Sequence, residues 1–313
     1  MRTGRVRALG ALSCIGFAIV AHAAAPATTD PAPKVAEAAR TALHVQQVRP
    51  GISVISGAGG NVVVWSGTEG VVLIDTGLAA QSTELFDTIA RVAPGPLRFV
   101  VNTSGHADHI GGNEAAARKG AVLIGNESSR DAAGPSGPGE GASAESGVSP
   151  VITITDALAL HLNGDRLDVL HVADAHSSAD MVARLSQADV TVLGDIYWNG
   201  QYPHVDRDAG GSLAGLVAAV EAALARSTSR TVIIPGHGPV SNRAELAAYR
   251  DMLVTVGRKV REAAEQGQTV DEVVDAHPTA EFDARFARPG AVVAPEDFVR
   301  NVYADLTRPR STR

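Results

Sequence analysis

A chain of 313 residues with 45% hydrophobic and 19% charged content has the length and composition to bury a sizeable core. Its formal net charge of −7 excludes the clustered basic footprint of a nucleic-acid-binding protein. Cys14 is the only cysteine, which excludes an internal disulfide and leaves residues 15–313 without a thiol nucleophile or thiolate metal ligand.

The first residues form a segment apart. MRTGRVR carries three arginines, ALGALSCIGFAIV is a short apolar run, and AHAAA offers small residues for cleavage after Ala23 or Ala25. This order predicts a secretory signal peptide over 1–25, too short for a membrane span, and so a bacterial chain that is periplasmic or secreted and free of the membrane after cleavage. The alternatives are a buried N-terminal helix and a lipid anchor at Cys14, the latter preceded by Ala-Leu-Ser, a poor lipobox. Residues 26–47, which open rich in Ala, Pro and Thr, read as a tether, and a folded domain is expected over 48–313.

From Val48 the chain turns β-like. GISVISG, NVVVWSG and GVVLIDTG are Val/Ile/Leu runs punctuated by glycine, as in successive antiparallel strands. STELFDTIARVA has helical spacing, with Leu85, Ile89 and Val92 on one face and Pro94 closing it. LRFVVNT is a buried-type strand, EAAARKG a helix ending at Gly120, and AVLIG another strand. Residues 126–150 are small, polar and rich in Gly, Ser and Pro, and read as a mobile loop bordering the site. A second β-rich half comprises VITITDALALHL, DRLDVLHVA, MVARLSQ and VTVLGDIY. Ser212 is the expected N-cap of the helix GSLAGLVAAVEAALARS, TVIIPGHGP is a final buried strand, and 243–313 is helical. The expected class is α+β, with two sheets packed face to face and helices outside.

Four separated stretches carry ligand-type residues at predicted strand ends. They are His106, Asp108 and His109 in NTSGHADHIGGN, His176 in DAHSSAD, Asp195 in LGDIY and His237 in PGHGP. Loops at one edge of a sheet can converge, and imidazole with carboxylate but no thiolate suits zinc, with iron or manganese as alternatives. A single histidine in a glycine turn is ordinary; four such stretches together are not.

These stretches resemble the metallo-β-lactamase superfamily, over about Gly51 to Pro239. NTSGHADHIGG is similar to its HxHxDH motif, LIDTG to the strand before it, and AHSSAD, LGD and PGHGP to its later ligand loops. The resemblance implies an αββα sandwich of two mixed sheets flanked by helices, with a two-metal site. It implies that His106 and His176 bind one metal, that Asp108, His109 and His237 bind a second, and that Asp195 bridges them. Asp75 is expected behind the site, holding a ligand histidine by its free ring N–H. The bridging Asp is similar to the hydroxyacylglutathione hydrolase branch. Ser104 stands where the family pattern has its first histidine, and a hydroxyl is a poor zinc ligand. Two zinc ions with a weakened first site, one metal in the second site, and a non-catalytic site all remain open.

The implied mechanism is metal-assisted hydrolysis, in which a metal lowers the pKa of bound water from about 15.7 toward about 7, giving hydroxide, and polarises a carbonyl. Asp108 is expected to orient that water. Tyr202 and His204 are candidate pocket residues with a surface loop as the alternative, and Trp198 is a candidate pocket wall for which core packing is the stronger expectation. Asp180 is a supporting or turn residue, His171 a candidate substitute ligand and His161 an exposed strand residue. Arg207 is the least unsuitable cation for a substrate carboxylate. The expected function is an exported hydrolase of a small β-lactam, lactone, ester or thioester. A non-catalytic binding protein of the same fold and a mononuclear iron sulfur oxygenase are the alternatives. The expected partner is a small-molecule substrate, and nothing in the sequence defines an oligomeric state.

Overall fold

A computed structural model describes residues 42–131 and 148–308, all within the compact unit Ala32–Arg313. The expected signal peptide and most of the expected tether lie outside the described residues.

Two sheets form the centre. The first has the order β1 (His44–Arg49), β2 (Ile52–Ala58), β3 (Gly60–Gly67), β4 (Gly70–Ile74), β5 (Leu97–Val101), β6 (Val122–Asn126) and β7 (Ile152–Ile154). Its first four strands are antiparallel and β4 to β7 are parallel. In the second sheet β8 (Ala157–Leu162), β9 (Asp165–His171), β10 (Met181–Leu185) and β11 (Val190–Trp198) are antiparallel, and β12 (Val232–His237) runs parallel to β11.

The central strands β3, β4 and β11 read as near-continuous apolar runs because both of their faces are covered. Along β3 and β4, Val63, Trp65, Val72 and Ile74 face the second sheet, where they meet Leu167, Val169, Met181 and Val192. Their neighbours Val62, Val64, Val71 and Leu73 turn the other way, onto Leu85, Phe86 and Ile89 of α1 (Ser82–Val92) and Ala116 of α3 (Asn113–Arg118). The short α2 (Ala107–Ile110) lies between α1 and α3 in the chain, and α4 (Glu127–Asp131) follows β6. On the outer face of the second sheet, Leu193 and Tyr197 pack against α5 (Leu213–Ala225), α6 (Arg243–Glu265) and α9 (Pro295–Leu306). Between α6 and α9 come α7 (Val270–Asp275) and α8 (Ala280–Phe286). Helix, sheet, sheet, helix is the expected αββα sandwich.

Several boundaries differ from expectation. The first strand starts at His44, so residues 44–47 of the expected tether pair with β2, where cross-strand hydrogen bonds satisfy their backbone. VITITDALALHL is two strands in different sheets: β7 completes the first and β8 opens the second. The expected loop 126–150 begins as the end of β6 and as α4, with Asn126 Oδ1 accepting from the Ser128 N–H at 2.7 Å; residues 132–147 lie outside the described residues. Val92 is exposed at the end of α1, and Phe86 takes the expected apolar place beside Leu85 and Ile89. The Ser212 cap forms as expected, its Oγ accepting from the Gly215 N–H at 3.0 Å.

Candidate metal centre

The ligand-type residues meet at one edge of the sandwich, brought there by both sheets. β4 ends at Ile74 and delivers Asp75, while β5 ends at Val101 and leads through Asn102–Ser104 to His106 and α2. Gly111 and Gly112 let this turn sit close to the β4 loop, since a Cβ on Gly111 would lie 2.2 Å from the Ala79 backbone nitrogen. From the second sheet, β9 leads to His176 and β12 ends on His237. Asp195 differs from the expectation of a strand-end loop, because it lies inside β11. The register shifts around Gly194, whose φ of +52° marks a bulge, and a bulge re-aims the following side chain. Only glycine fits there, with Thr103 Oγ 2.4 Å from where a Cβ would stand.

Two groups of ligand atoms result: Asp108, His109 and His237, and His106, His176 and Asp195. In the first, His237 Nε2 is 3.1 Å from Asp108 Oδ2, and both His237 Nε2 and His109 Nε2 are 3.1 Å from Asp195 Oδ1. His109 Nε2 is 3.8 Å from Asp108 Oδ2. Four ligands about 2.1 Å from a tetrahedral ion are separated by roughly 3.4 Å, so these spacings fit one small divalent cation. His109 Nε2, His237 Nε2 and Asp195 Oδ1 are buried and lack a hydrogen-bond partner, as cation-facing atoms would. The second group is wider: His106 Nδ1 and His176 Nδ1 lie 3.9 and 3.8 Å from Asp195 Oδ2.

The supports are equally specific. Asp75 Oδ2 accepts from His109 Nδ1 at 2.8 Å, and the same carboxylate accepts from the Thr103 N–H at 2.7 Å and the Thr103 hydroxyl at 2.6 Å. This anchors the His109 proton on Nδ1 and leaves Nε2 as the atom that faces the centre. Asp180 accepts from the Ser177 N–H and hydroxyl and lies 3.5 Å from His176 Nδ1, a supporting rather than a ligand position. Burial alone would push the His109 and His237 imidazoles down. The surrounding Asp195, Asp75 and Asp108 carboxylates instead raise His109 well above the usual range, and Asp108 and Asp195 raise His237 to about 9. Burial opposes ionisation of Asp108 and Asp195 likewise, yet the facing histidines hold Asp108 down to about 2 and Asp195 well below its ordinary value.

Ser104, 2% exposed, holds its hydroxyl 2.8 Å from His106 Nδ1 and accepts the His106 N–H at 3.3 Å. The other ring nitrogen, His106 Nε2, is 2.9 Å from Asp206 Oδ2. Asp206 is the site residue that the sequence does not announce: its partner is a hundred positions away. Burial works against its charge, but hydrogen bonds from His106 and the Ala209 N–H hold it well below the usual carboxylate range.

The expected pocket residues are placed differently. Tyr202 is fully buried, stacked on Phe298 and donating to Asp283 Oδ1 at 2.8 Å, so it belongs to the α8–α9 packing. Trp198 is buried against the His237 ring, centroids 4.2 Å apart, and backs the ligand. His204 stands near the site, its ring 6.3 Å from that of His176. His171 is no substitute ligand, because its two ring nitrogens face the Thr155 and Ser178 carbonyls at 2.9 and 2.8 Å. His161 is exposed on β8. A cavity of about 390 Å³ opens instead beside His237, lined by His44, Val54, Asn61, Gly238 and Val240 among others.

The family model of the metallo-β-lactamase superfamily matches residues 56–237, more than half of the chain. The chain belongs to that superfamily. No curated protein sequence matches it. Among solved structures it is similar to a metallo-β-lactamase from Pontibacter korlensis, at 23% identity and TM-score 0.58 over 68% of this chain and 99% of that one. It is similar also to the stereoselective inverting sec-alkylsulfatase Pisa1 from Pseudomonas sp., at 20% identity and TM-score 0.62 over 84% of this chain. The chain spans 50% of that sulfatase's length. A metallo-β-lactamase from Hirschia baltica is similar at 18% identity and TM-score 0.54, over 67% of this chain and 97% of that one. At these identities the likenesses concern the fold.

Proposed function

We propose that the chain is a metal-dependent hydrolase of a small carbonyl compound, with one zinc ion held by Asp108, His109, Asp195 and His237. The observation that carries this is the set of 3.1–3.8 Å spacings among those four ligand atoms, three of which lack any hydrogen-bond partner. When bound, zinc supplies Lewis acidity and acidifies water at neutral pH. The chain's own part is positional. Asp75 fixes the tautomer of His109, Trp198 backs His237, and Asp195 projects from a bulge that holds it between the two groups of histidines. Ser104 on His106 Nδ1 engages the ring nitrogen that faces Asp195, which favours one ion over two.

The substrate class proposed is a β-lactam, lactone, ester or thioester, and a secondary alkyl sulfate joins the panel because a sulfatase shares the fold. The test measures zinc per chain and turnover of that panel by the full chain and by His109→Ala. One zinc per chain, with turnover of at least one compound that His109→Ala abolishes, is expected. Bound zinc without turnover of any compound would instead leave a binding protein of this fold, and iron in the purified chain would favour oxygenase chemistry. We propose export as well, on residues 1–25 alone; a mature N-terminus after Ala23 or Ala25 in the secreted fraction is the expected result. Among the described residues no helix is long and apolar enough to cross a membrane.

A further inference from the structure

The serine that breaks the ligand motif is not idle. We propose that Ser104, His106 and Asp206 form a nucleophilic triad, which accepts the acyl group of a small ester on Ser104 Oγ beside the metal-binding group. Nucleophile, base and orienting carboxylate stand in sequence at hydrogen-bond distance, Oγ to Nδ1 at 2.8 Å and Nε2 to Oδ2 at 2.9 Å.

The polarity of the network fits those roles. Asp206 is itself fixed, its Oδ1 accepting from the Ala209 N–H at 2.9 Å and its own N–H donating to the His176 carbonyl at 2.9 Å. Its free oxygen therefore draws the His106 proton to Nε2 and leaves Nδ1 as the acceptor. Ser104 Oγ accepts the His106 backbone N–H, so its own hydrogen is the one turned toward Nδ1. The two ring nitrogens exchange their usual duties, which the logic of such a triad permits because it is defined by geometry and role. The His106 side chain is 32% exposed and gives the buried Ser104 hydroxyl its contact with the cleft.

In the step proposed, Ser104 Oγ bonds to the ester carbonyl carbon and its proton passes to His106 Nδ1. The carbon–oxygen bond to the leaving alcohol then breaks, and the alcohol takes that proton. Water attacks the acyl-serine with His106 again holding the proton, which returns Ser104 to its hydroxyl and releases the acid.

This inference shares the cleft of the proposed metal centre but does not need the metal reading to hold. A dialkyl fluorophosphate is the probe: Ser104 Oγ would form the bond to phosphorus, and fluoride would leave with the proton. The full chain is treated with it in the zinc-loaded and chelator-stripped forms, followed by intact mass and peptide mapping, with zinc per chain measured on the same samples. One adduct per chain on Ser104 is expected, absent in Ser104→Ala and slowed by about 10²-fold or more in Asp206→Asn. No adduct on Ser104 in either form, or an adduct whose rate ignores Asp206→Asn, would overturn the triad whatever the zinc count shows. A failed zinc count with Ser104 labelled would overturn only the metal reading.

Discussion

Asp75→Asn tests how much of the metal affinity comes from behind the ligands. Asp75 is 1% exposed and its carboxylate accepts three hydrogen bonds, two from Thr103 and one from His109 Nδ1. Asparagine keeps the shape and tolerates the left-handed φ of +64° at this position. With its single oxygen in the Oδ1 place it still accepts the Thr103 N–H, which turns the amide NH2 toward the Thr103 hydroxyl, now the acceptor, and toward His109 Nδ1. Two donors cannot face each other, so His109 must move its proton to Nε2, the atom that meets Asp195 and would face a cation. Loss of such a partner costs about 10–100-fold in metal affinity, or about 1.4–2.7 kcal/mol. Chelator competition for zinc measures it, with thermal melting of the metal-free chain as the control for folding. Zinc affinity within about twofold of the parent, in a variant that melts normally, would refute the assignment of Asp75 as the group that orients His109.

Zinc affinity is expected to rise with pH up to about 9, because His237 is raised to about 9 and His109 well above its ordinary value, so at neutral pH His237 must shed a proton to bind a cation. Calorimetry in buffers of different ionisation enthalpy should show proton release at pH 7, and buffer-independent heats would contradict it. The metal-free chain carries the opposite dependence. His237 is raised from 6.5 to about 9, so its pairing with Asp108 and Asp195 stabilises the fold fully below pH 6.5 and is lost as pH rises through 9. Its melting temperature should fall over that window. Ser104→His should raise the zinc count from one to two by supplying the His106–His176 group with a third imidazole, as elemental analysis would show. Tyr202→Phe should lower stability by about 1 kcal/mol through the lost bond to Asp283 and leave zinc count and turnover unchanged.

The sheets were legible because their signal is local. Runs such as NVVVWSG and GVVLIDTG are apolar on both faces of the strand, and a strand covered on both sides must be written that way. The six ligand-type residues were legible too, since each stands in a short motif at or near a strand end. Other features had no local mark. VITITDALALHL reads as one strand, and only pairing partners far along the chain divide it between two sheets. Tyr202 and Trp198 look like pocket aromatics because they follow Asp195, but the burial that removes them comes from α8, α9 and β12. Asp206 went unread for the same reason: an aspartate in PHVDRDAGG resembles any loop residue until the fold sets His106 against it.

Asn61, on β3 of the first sheet, donates its side-chain amide to the Pro235 and Gly238 carbonyls of the second sheet at 2.9 Å each. These bonds bracket His237, so protein hydrogen bonds latch the rim where both sheets contribute ligand-type residues. The ligands are thus gathered by folding, and a cation arriving there has little left to organise. Capture should therefore proceed without a change in chain dimensions, and a chelator should strip the ion from a sandwich that remains closed. On the function proposed above, a metal would be a tenant of the fold rather than the nucleus around which it forms.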